Sequence, residues 1–167
     1  MKKKIAILGS TGSIGKSTIE VILKNKLKFN VLLLVANKNY KLLYRQAIKL
    51  NTKYIYINDT KKISKLKKLD KKKQLKVLTN FDDVNKIFKK KIDITMSSIS
   101  GIDGLKYNLT IIRHTKKILL ANKESIICGW NLIKKELIRN KTVYQPVDSE
   151  HFAIYELMKN TNIKMLK

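Results

Sequence analysis

The stretch KIAILGSTGSIGKSTIEVIL, residues 4–23, sets the topology expected for this 167-residue chain. It opens with a short apolar run typical of a buried β-strand and ends with the apolar spacing of a helix. Between the two, Gly9, Gly12 and Gly15 form a G-x-x-G-x-x-G motif. In this context the glycines allow a tight turn, a close backbone approach to a pyrophosphate and close packing of helix on strand. The motif predicts a dinucleotide site at the start of the first helix, the alternative being glycines that only make the turn.

Outward from this motif, short apolar runs alternate with longer amphipathic segments along the chain. Several runs are apolar on both faces, as expected for strands that are covered on both sides. This alternation predicts an α/β fold, a doubly wound parallel sheet with right-handed crossovers. The predicted strands are residues 4–9, 30–36, 53–58, 74–79, 93–98, 117–122 and 142–147, and the predicted helices are residues 16–25, 40–50, 60–69, 82–89, 104–115 and 123–140. The lysine-rich stretch 61–73 is either a helix with a solvated face or a loop.

Two other nucleotide-binding motifs overlap these segments, and both are incomplete. Residues 15–17, Gly-Lys-Ser, match the end of a P-loop, but the first glycine of that motif would stand where this chain has Ser10. Residues 122–125, Asn-Lys-Glu-Ser, match the guanine-reading Asn-Lys-x-Asp of GTPases, except that Ser125 replaces the aspartate. Because serine lacks the paired acceptor oxygens of a carboxylate, a P-loop nucleotide hydrolase is only the second hypothesis.

The end of the second predicted strand indicates which dinucleotide is bound. Enzymes that use NAD place Asp or Glu there for the ribose 2′-hydroxyl, whereas this chain has Asn37, Lys38 and Asn39. A lysine at this position pairs with a 2′-phosphate as a point charge, although Lys38 is also one lysine among many. The missing carboxylate, together with Lys38, predicts NADPH rather than NADH.

A second informative segment, PVDSEH at residues 146–151, follows the last predicted strand and contains the only proline of the chain. This position predicts an active-site edge or a domain junction. Asp148 and Glu150 are two residues apart, so both carboxylates can face one site where the strand ends, and such oxygen ligands suit Mg²⁺ or Mn²⁺. Alternatively, Asp148 or Ser149 caps an amphipathic helix that begins at His151. The two interpretations are compatible.

The composition limits the class of protein. The length fits about one domain with a core of its own. Thirty-seven basic and 12 acidic residues give a net charge of +25, yet 44% of the residues are hydrophobic, too many for a disordered polycation. Only three of the basic residues are arginine, the residue that nucleic-acid readers favour. A nucleotide-biased genome therefore explains the lysines, and no specific nucleic acid is expected as a partner.

Cysteine usage and the lengths of the apolar runs predict where the protein resides. The single cysteine, Cys128, cannot form an internal disulfide, which fits the reducing cytoplasm. The N-terminal MKKKIAIL imitates a signal peptide, but its apolar run is shorter than the roughly 7 residues of such a segment. No run approaches the roughly 18 residues of a membrane span. We expect a soluble, cytoplasmic protein without a membrane partner, with Cys128 and Trp130 as interior residues of the helix after Lys123.

Taken together, GSTGSIG after the first strand, ANKES after a later strand and PVDSEH after the last resemble the 1-deoxy-D-xylulose 5-phosphate reductoisomerase family. The motifs occur in the order of that family, and the resemblance runs from Lys3 to about Glu156. It implies a Rossmann-like NADPH-binding domain, a catalytic domain with a mobile loop, a C-terminal helical domain, a homodimer and one divalent metal ion, Mn²⁺, Mg²⁺ or Co²⁺. The family rearranges the carbon skeleton of a ketose phosphate and reduces the resulting aldehyde with NADPH, which yields 2-C-methyl-D-erythritol 4-phosphate for isoprenoid precursors.

The resemblance also implies roles for individual residues. Those implied to contact NADPH are Thr11, Gly12, Ser13, Ile14, Asn37, Lys38, Asn39, Asn122 and Glu124. Those implied to bind the sugar phosphate are Lys123, Ser149 and Glu150, those implied to hold the metal are Asp148 and Glu150, and Glu150 is also implied to be catalytic. The family usually has glycine at the position of Asn37.

The resemblance further implies a truncated family member, and we do not expect this chain alone to convert 1-deoxy-D-xylulose 5-phosphate. The mobile loop, the third metal carboxylate and the later residues that hold the substrate phosphate have no counterpart before Lys167. We expect residues 1–147 to form the NADPH-binding domain and residues 148–167 to begin the catalytic domain. A non-catalytic basic module that binds NADP or nucleic acid is the third hypothesis.

Overall fold

The computed structural model describes residues 1–147, 152 and 156. Its strands are β1 (Lys3–Leu8), β2 (Phe29–Ala36), β3 (Tyr54–Ile57), β4 (Lys76–Leu78), β5 (Ile92–Ser97), β6 (Thr115–Leu120) and β7 (Val143–Pro146). Its helices are α1 (Ser13–Lys24), α2 (Tyr40–Leu50), α3 (Ile63–Leu69), α4 (Val84–Ile87), α5 (Gly104–Ile112) and α6 (Lys123–Arg139). Strand and helix alternate as the sequence predicts, and the strands lie within two residues of the predicted ranges.

The described strands form one parallel sheet in the order β4-β3-β2-β1-β5-β6-β7. The chain builds outward from β1 to β4 on one side, then returns to the centre and builds from β5 to β7 on the other. The predicted doubly wound, Rossmann-like fold is therefore confirmed. In such sheets the crevice for a ligand opens at the carboxyl ends of the two strands where the order reverses, here β1 and β5.

Apolar side chains cover both faces of the sheet, which explains the near-continuous apolar runs of the central strands. On one face α1, α2 and α3 pack over β1 to β3, with Ile7, Leu34 and Ile55 fully buried. On the other face α5 and α6 pack against a cluster that includes Leu8 and Ile118, also fully buried. Each such side chain contributes about 1.5–3 kcal/mol by leaving water. The two layers fix the loops that leave the carboxyl ends of β1 and β5.

Several helix boundaries differ from the predicted ones. The segment predicted to be helical from residue 60 begins with a 3₁₀ turn, Thr60–Lys62, which Asp59 caps by accepting from the N–H of Lys61. The lysine-rich stretch is helical to Leu69 and then turns. The predicted helix 104–115 ends earlier, and Thr115 is a strand residue because it pairs with β5.

Cys128 and Trp130 lie inside α6 along the chain but not in the core, since both side chains are exposed. The two residues were expected inside the helix, and that position is confirmed. No helix among the described residues combines the length and the apolar character needed to cross a membrane.

Candidate functional site

Two glycines of the first turn are required by the packing of the chain on itself. Gly9 has φ +83°, and a Cβ there would lie 2.6 Å from the backbone oxygen of Ser98. A Cβ on Gly15 would lie 2.2 Å from the backbone oxygen of Gly9 and 2.7 Å from the Cα of Ser10. Since these neighbours are backbone atoms, they cannot give way as a flexible side chain would. Gly9 and Gly15 therefore bring β1, β5 and the start of α1 into close contact.

Gly12 differs from the other two glycines. A Cβ there would meet only the backbone oxygen of Gly9, at an ordinary 3.4 Å. Gly12 is the N-cap of α1, and no side chain in the described part of the protein caps this helix end. The first N–H groups of a helix attract anions. Packing does not demand a glycine at position 12, but an anion bound at the start of α1 would.

A cavity of about 230 Å³ opens where the sheet reverses its strand order. Its walls come from the turn after β1, the ends of β2 and β3, the loop after β5 and the first part of α5. Three predicted site residues line it, namely Thr11, Gly12 and Asn37. The residues that complete the wall are Gly9, Val35, Ala36, Asn58, Ser98, Ile99, Ser100, Asp103 and Tyr107.

A second cavity of about 230 Å³ shares the Ser98–Ser100 loop with the first. It brings together four more predicted site residues, Ile14, Asn122, Lys123 and Glu124. The two cavities thus form one groove across the carboxyl edge of the sheet, from the end of β2 to the start of α6. Ser13 lines neither part and instead borders an apolar cavity beside α1.

Asn122 is held in place by its own hydrogen bonds. Its side chain is buried, its Oδ1 accepts from the backbone N–H of Ser125 at 2.7 Å, and its Nδ2 donates to the backbone oxygens of Ile99 (2.6 Å) and Gly101 (2.9 Å). The Oδ1 contact caps α6. Because these bonds occupy both ends of the amide, we expect Asn122 to shape the groove by fixing the loop after β5.

The end of β2 presents amides and a lysine and no carboxylate. Asn37 accepts through Oδ1 from the Nδ2 of Asn58 at 3.2 Å, and its backbone oxygen accepts from the N–H of Asp59. Its φ is not positive, so this position does not require the glycine usual in the family. Asn39 caps α2 by accepting from the N–H of Leu42, while Lys38 is exposed. The described geometry is compatible with a negatively charged group at this end of the groove.

The groove also contains Asn58, Asp103 and Tyr107, which no sequence motif predicts. Tyr107 is only 4% exposed and donates from its hydroxyl to the Oδ1 of Asn58 at 2.7 Å. Burial raises the pKa of Tyr107. The pKa of Tyr56 is raised to about 12, first by burial and then by the neighbouring Tyr107. Both phenols therefore stay protonated at neutral pH. The available signal was the rule that binding residues follow the carboxyl ends of strands, which applies to Asn58 after β3.

The predicted metal site cannot be placed in the groove. Asp148, Ser149 and Glu150 lie outside the described residues. Within residues 1–147, 152 and 156, no three His, Cys, Asp or Glu side chains form a group that could hold a metal ion.

Comparison with known proteins gives a consistent result. A family model described as 1-deoxy-D-xylulose 5-phosphate reductoisomerase matches residues 5–129. The reductoisomerase of Pelagibacter ubique (strain HTCC1062) is 52% identical over 160 residues, which cover 95% of this chain and 41% of that protein. The reductoisomerase of Zymomonas mobilis, solved in complex with NADPH, is 35% identical with a TM-score of 0.82, covering 90% of this chain and 40% of that one.

A crystal structure of DOX-P reductoisomerase with NADPH, fosmidomycin and magnesium is 28% identical, with a TM-score of 0.83. The match covers 92% of this chain and 38% of that chain. The chain therefore spans about two fifths of the length of these relatives.

Proposed function

The chain belongs to the 1-deoxy-D-xylulose 5-phosphate reductoisomerase family, and from this premise we propose that its groove binds NADPH for the reaction of that family. One observation supports this most directly. No described side chain caps the start of α1, where Gly12 is the N-cap. A Cβ at position 12 would make only one ordinary van der Waals contact, with the backbone oxygen of Gly9. A dinucleotide pyrophosphate fits a helix end of this kind.

Different residues bind different parts of NADPH. Backbone N–H groups at Thr11 and, beside the groove, at Ser13 receive the pyrophosphate, while the N–H of Gly12 donates to the backbone oxygen of Gly9. Lys38 with its neighbouring amides receives the 2′-phosphate. NADPH supplies hydride when bound. The loop after β5, which Asn122 ties to α6, forms the wall between the two parts of the groove. The chain thus binds and orients the nucleotide.

The remaining assignments extend this proposal. The substrate is 1-deoxy-D-xylulose 5-phosphate, with Lys123 and Ser149 as contacts. Asp148 and Glu150 are ligands of a divalent metal ion, Mn²⁺, Mg²⁺ or Co²⁺, and Glu150 also acts in catalysis. Residues 1–147 are the nucleotide-binding domain and residues 148–167 the beginning of a catalytic domain. The protein acts in the cytoplasm, with no nucleic acid as a specific partner.

The P-loop hydrolase hypothesis loses its support in the structure. Ser10, which stands where a P-loop has its first glycine, is fully buried, and its backbone oxygen accepts from the Nε2 of Gln46. Ser125 is fully buried as well, so it cannot read a guanine base. The side chains of Ser10 and Ser125 are both part of the packed interior.

Fluorescence titration of the 167-residue chain with NADPH and NADH tests the cofactor assignment. We expect saturable binding of both nucleotides, with NADPH bound more tightly. A chain whose circular dichroism shows folded α/β structure but that binds neither nucleotide would refute the proposal. NADPH consumption with 1-deoxy-D-xylulose 5-phosphate and Mn²⁺ then tests the reaction itself.

A further inference from the structure

A directed chain of hydrogen bonds runs from the core to the end of β2. The Tyr107 hydroxyl donates to the Oδ1 of Asn58 at 2.7 Å. The Nδ2 of Asn58 then donates to the Oδ1 of Asn37 at 3.2 Å. Tyr107, Asn58 and Asn37 all line the cavity at the switch point of the sheet.

The buried side chain of Tyr107 sets the direction of these hydrogen bonds. Tyr107 is held by rings around it, with the Phe81 ring centroid 4.8 Å away in an edge-on contact and that of Tyr56 at 6.2 Å. Its hydroxyl has a single proton, which it donates to the Oδ1 of Asn58. That proton fixes which end of the Asn58 amide is the acceptor, and the other end, Nδ2, must then donate to Asn37.

Resting on the proposed function, we propose that Tyr107 is a positioning residue for cofactor selection. Through Asn58 it occupies the Oδ1 acceptor of Asn37, so that the Asn37 amide offers the dinucleotide its Nδ2 donor. Tyr107 itself stays in the core.

The distinction between donor and acceptor decides which nucleotide is preferred. A free 2′-hydroxyl is bound best by an acceptor, which is why NAD enzymes place a carboxylate at the end of the second strand. A 2′-phosphate carries only acceptor oxygens at neutral pH and needs donors. An Asn37 amide held with Nδ2 available therefore supports Lys38 in favouring NADPH. An amide free to turn over would serve both nucleotides.

Titration of the full chain with NADPH and NADH, in the wild type and in Tyr107→Phe, tests this inference. The variant keeps the aromatic ring and loses only the hydroxyl. We expect the ratio of NADH to NADPH dissociation constants to fall about 2- to 10-fold, the effect of one hydrogen bond between neutral groups. The affinity for NADH should stay the same or increase.

Tyr54→Phe is the matched control, because it removes a tyrosine hydroxyl from β3, outside this series of hydrogen bonds. Tyr54 packs edge-on against Phe88, and the ratio should not change in this variant. Asn58→Ala breaks the same chain at its middle, so its effect and that of Tyr107→Phe should not add in the double variant.

Each other outcome contradicts the inference. Equal weakening of both nucleotides in Tyr107→Phe would show a purely structural role, and an unchanged ratio would show no coupling to Asn37. A higher ratio would mean that Asn37 presents its acceptor. A wild-type chain that binds neither nucleotide refutes the proposed function and this inference with it, whereas the other results refute the inference alone.

Discussion

At the scale of single residues, we expect a substitution of Gly15 to affect mainly the stability of the fold and a substitution of Gly12 to affect mainly nucleotide binding. A Cβ at position 15 would stand 2.2 Å from a backbone oxygen, whereas at position 12 it would find ordinary contact. We expect Gly15→Ala to lower the free energy of unfolding by roughly 3 kcal/mol, the upper range for overpacking. Gly12→Ala should lower it by only about 1 kcal/mol, the cost of replacing glycine by the poorer N-cap alanine.

The same pair should behave differently in nucleotide binding. Gly12→Ala should weaken NADPH about tenfold, or 1.4 kcal/mol, because the added methyl group stands where the pyrophosphate approaches the helix. Urea unfolding and fluorescence titration of both variants measure the two effects. If Gly12→Ala bound NADPH as tightly as the wild type, the pyrophosphate would not lie at this helix end.

Lys38 carries a prediction about cofactor choice. Lys38→Ala should weaken NADPH about 3- to 10-fold and leave NADH unchanged, because an exposed charge pair contributes up to about 1 kcal/mol and a charged hydrogen bond somewhat more. Lys24→Ala, in the last turn of α1, removes the same charge far from the carboxyl edge of the sheet and is the control. Equal losses in the two variants would mean that only net charge matters. The effect of Lys38 should shrink as salt is added.

At the scale of elements, Asn122 joins the loop after β5 to the start of α6. Its substitution removes the N-cap and leaves the half-buried backbone oxygens of Ile99 and Gly101 without that donor. We expect Asn122→Ala to lower the free energy of unfolding by about 2–3 kcal/mol, whereas Asn39→Ala, which loses one cap bond of α2, should cost about 1 kcal/mol. Urea unfolding of both variants compares them. Equal losses would contradict the bridging role of Asn122.

Asp93 connects three strands and makes their stability depend on pH. Its carboxylate accepts from the Lys116 ammonium at 2.7 Å and from the backbone N–H of Lys4 at 2.8 Å. The Lys116 contact, followed by that of Lys4, lowers the pKa of Asp93 below its ordinary 3.8. A lowered folded-state pKa means that the ionised carboxylate stabilises the protein above pH 3.8, and that this stability is lost as the pH falls through the folded-state value.

Asp93→Asn should therefore unfold at lower urea than the wild type at pH 7, and the difference should shrink in acid below pH 3.8. Glu20→Gln removes one acidic charge from the exposed surface of α1 and serves as the control. A difference between Asp93→Asn and the wild type that does not change with pH would show that the carboxylate charge plays no part.

Some features of the strands and helices could be predicted from the sequence, and others could not. The strands were predictable because short apolar runs alternate with amphipathic segments along the chain. Gly12, Asn37 and Asn122 could be predicted because each lies within four residues after the end of a strand. Thr115 was assigned to a helix because its strand character depends on pairing with Ile92 of β5. Tyr107 has the spacing of a core residue within α5, and only the folded sheet brings it to Asn58.

At the scale of the whole molecule, the net charge of +25 predicts attraction to any polyanion. Because the charge is almost entirely lysine and spread along the chain, DNA binding should not depend on sequence and should weaken steeply between about 50 and 200 mM salt. Gel shifts of two unrelated duplexes at both salt levels measure this.

A comparison of two pairs of exposed lysines makes the test sharper. Lys71 and Lys72 follow α3, while Lys134 and Lys135 lie on α6 at the other side of the sheet. If the net charge of the whole molecule attracts DNA, changing either pair to glutamine should reduce the salt dependence of DNA binding by the same amount. The reason is that each pair then contributes only its two positive charges. A much larger effect of one pair, or discrimination between the duplexes at about 200 mM salt, would locate a nucleic-acid site. Such a result would favour the basic binding module over a charge that reflects composition alone.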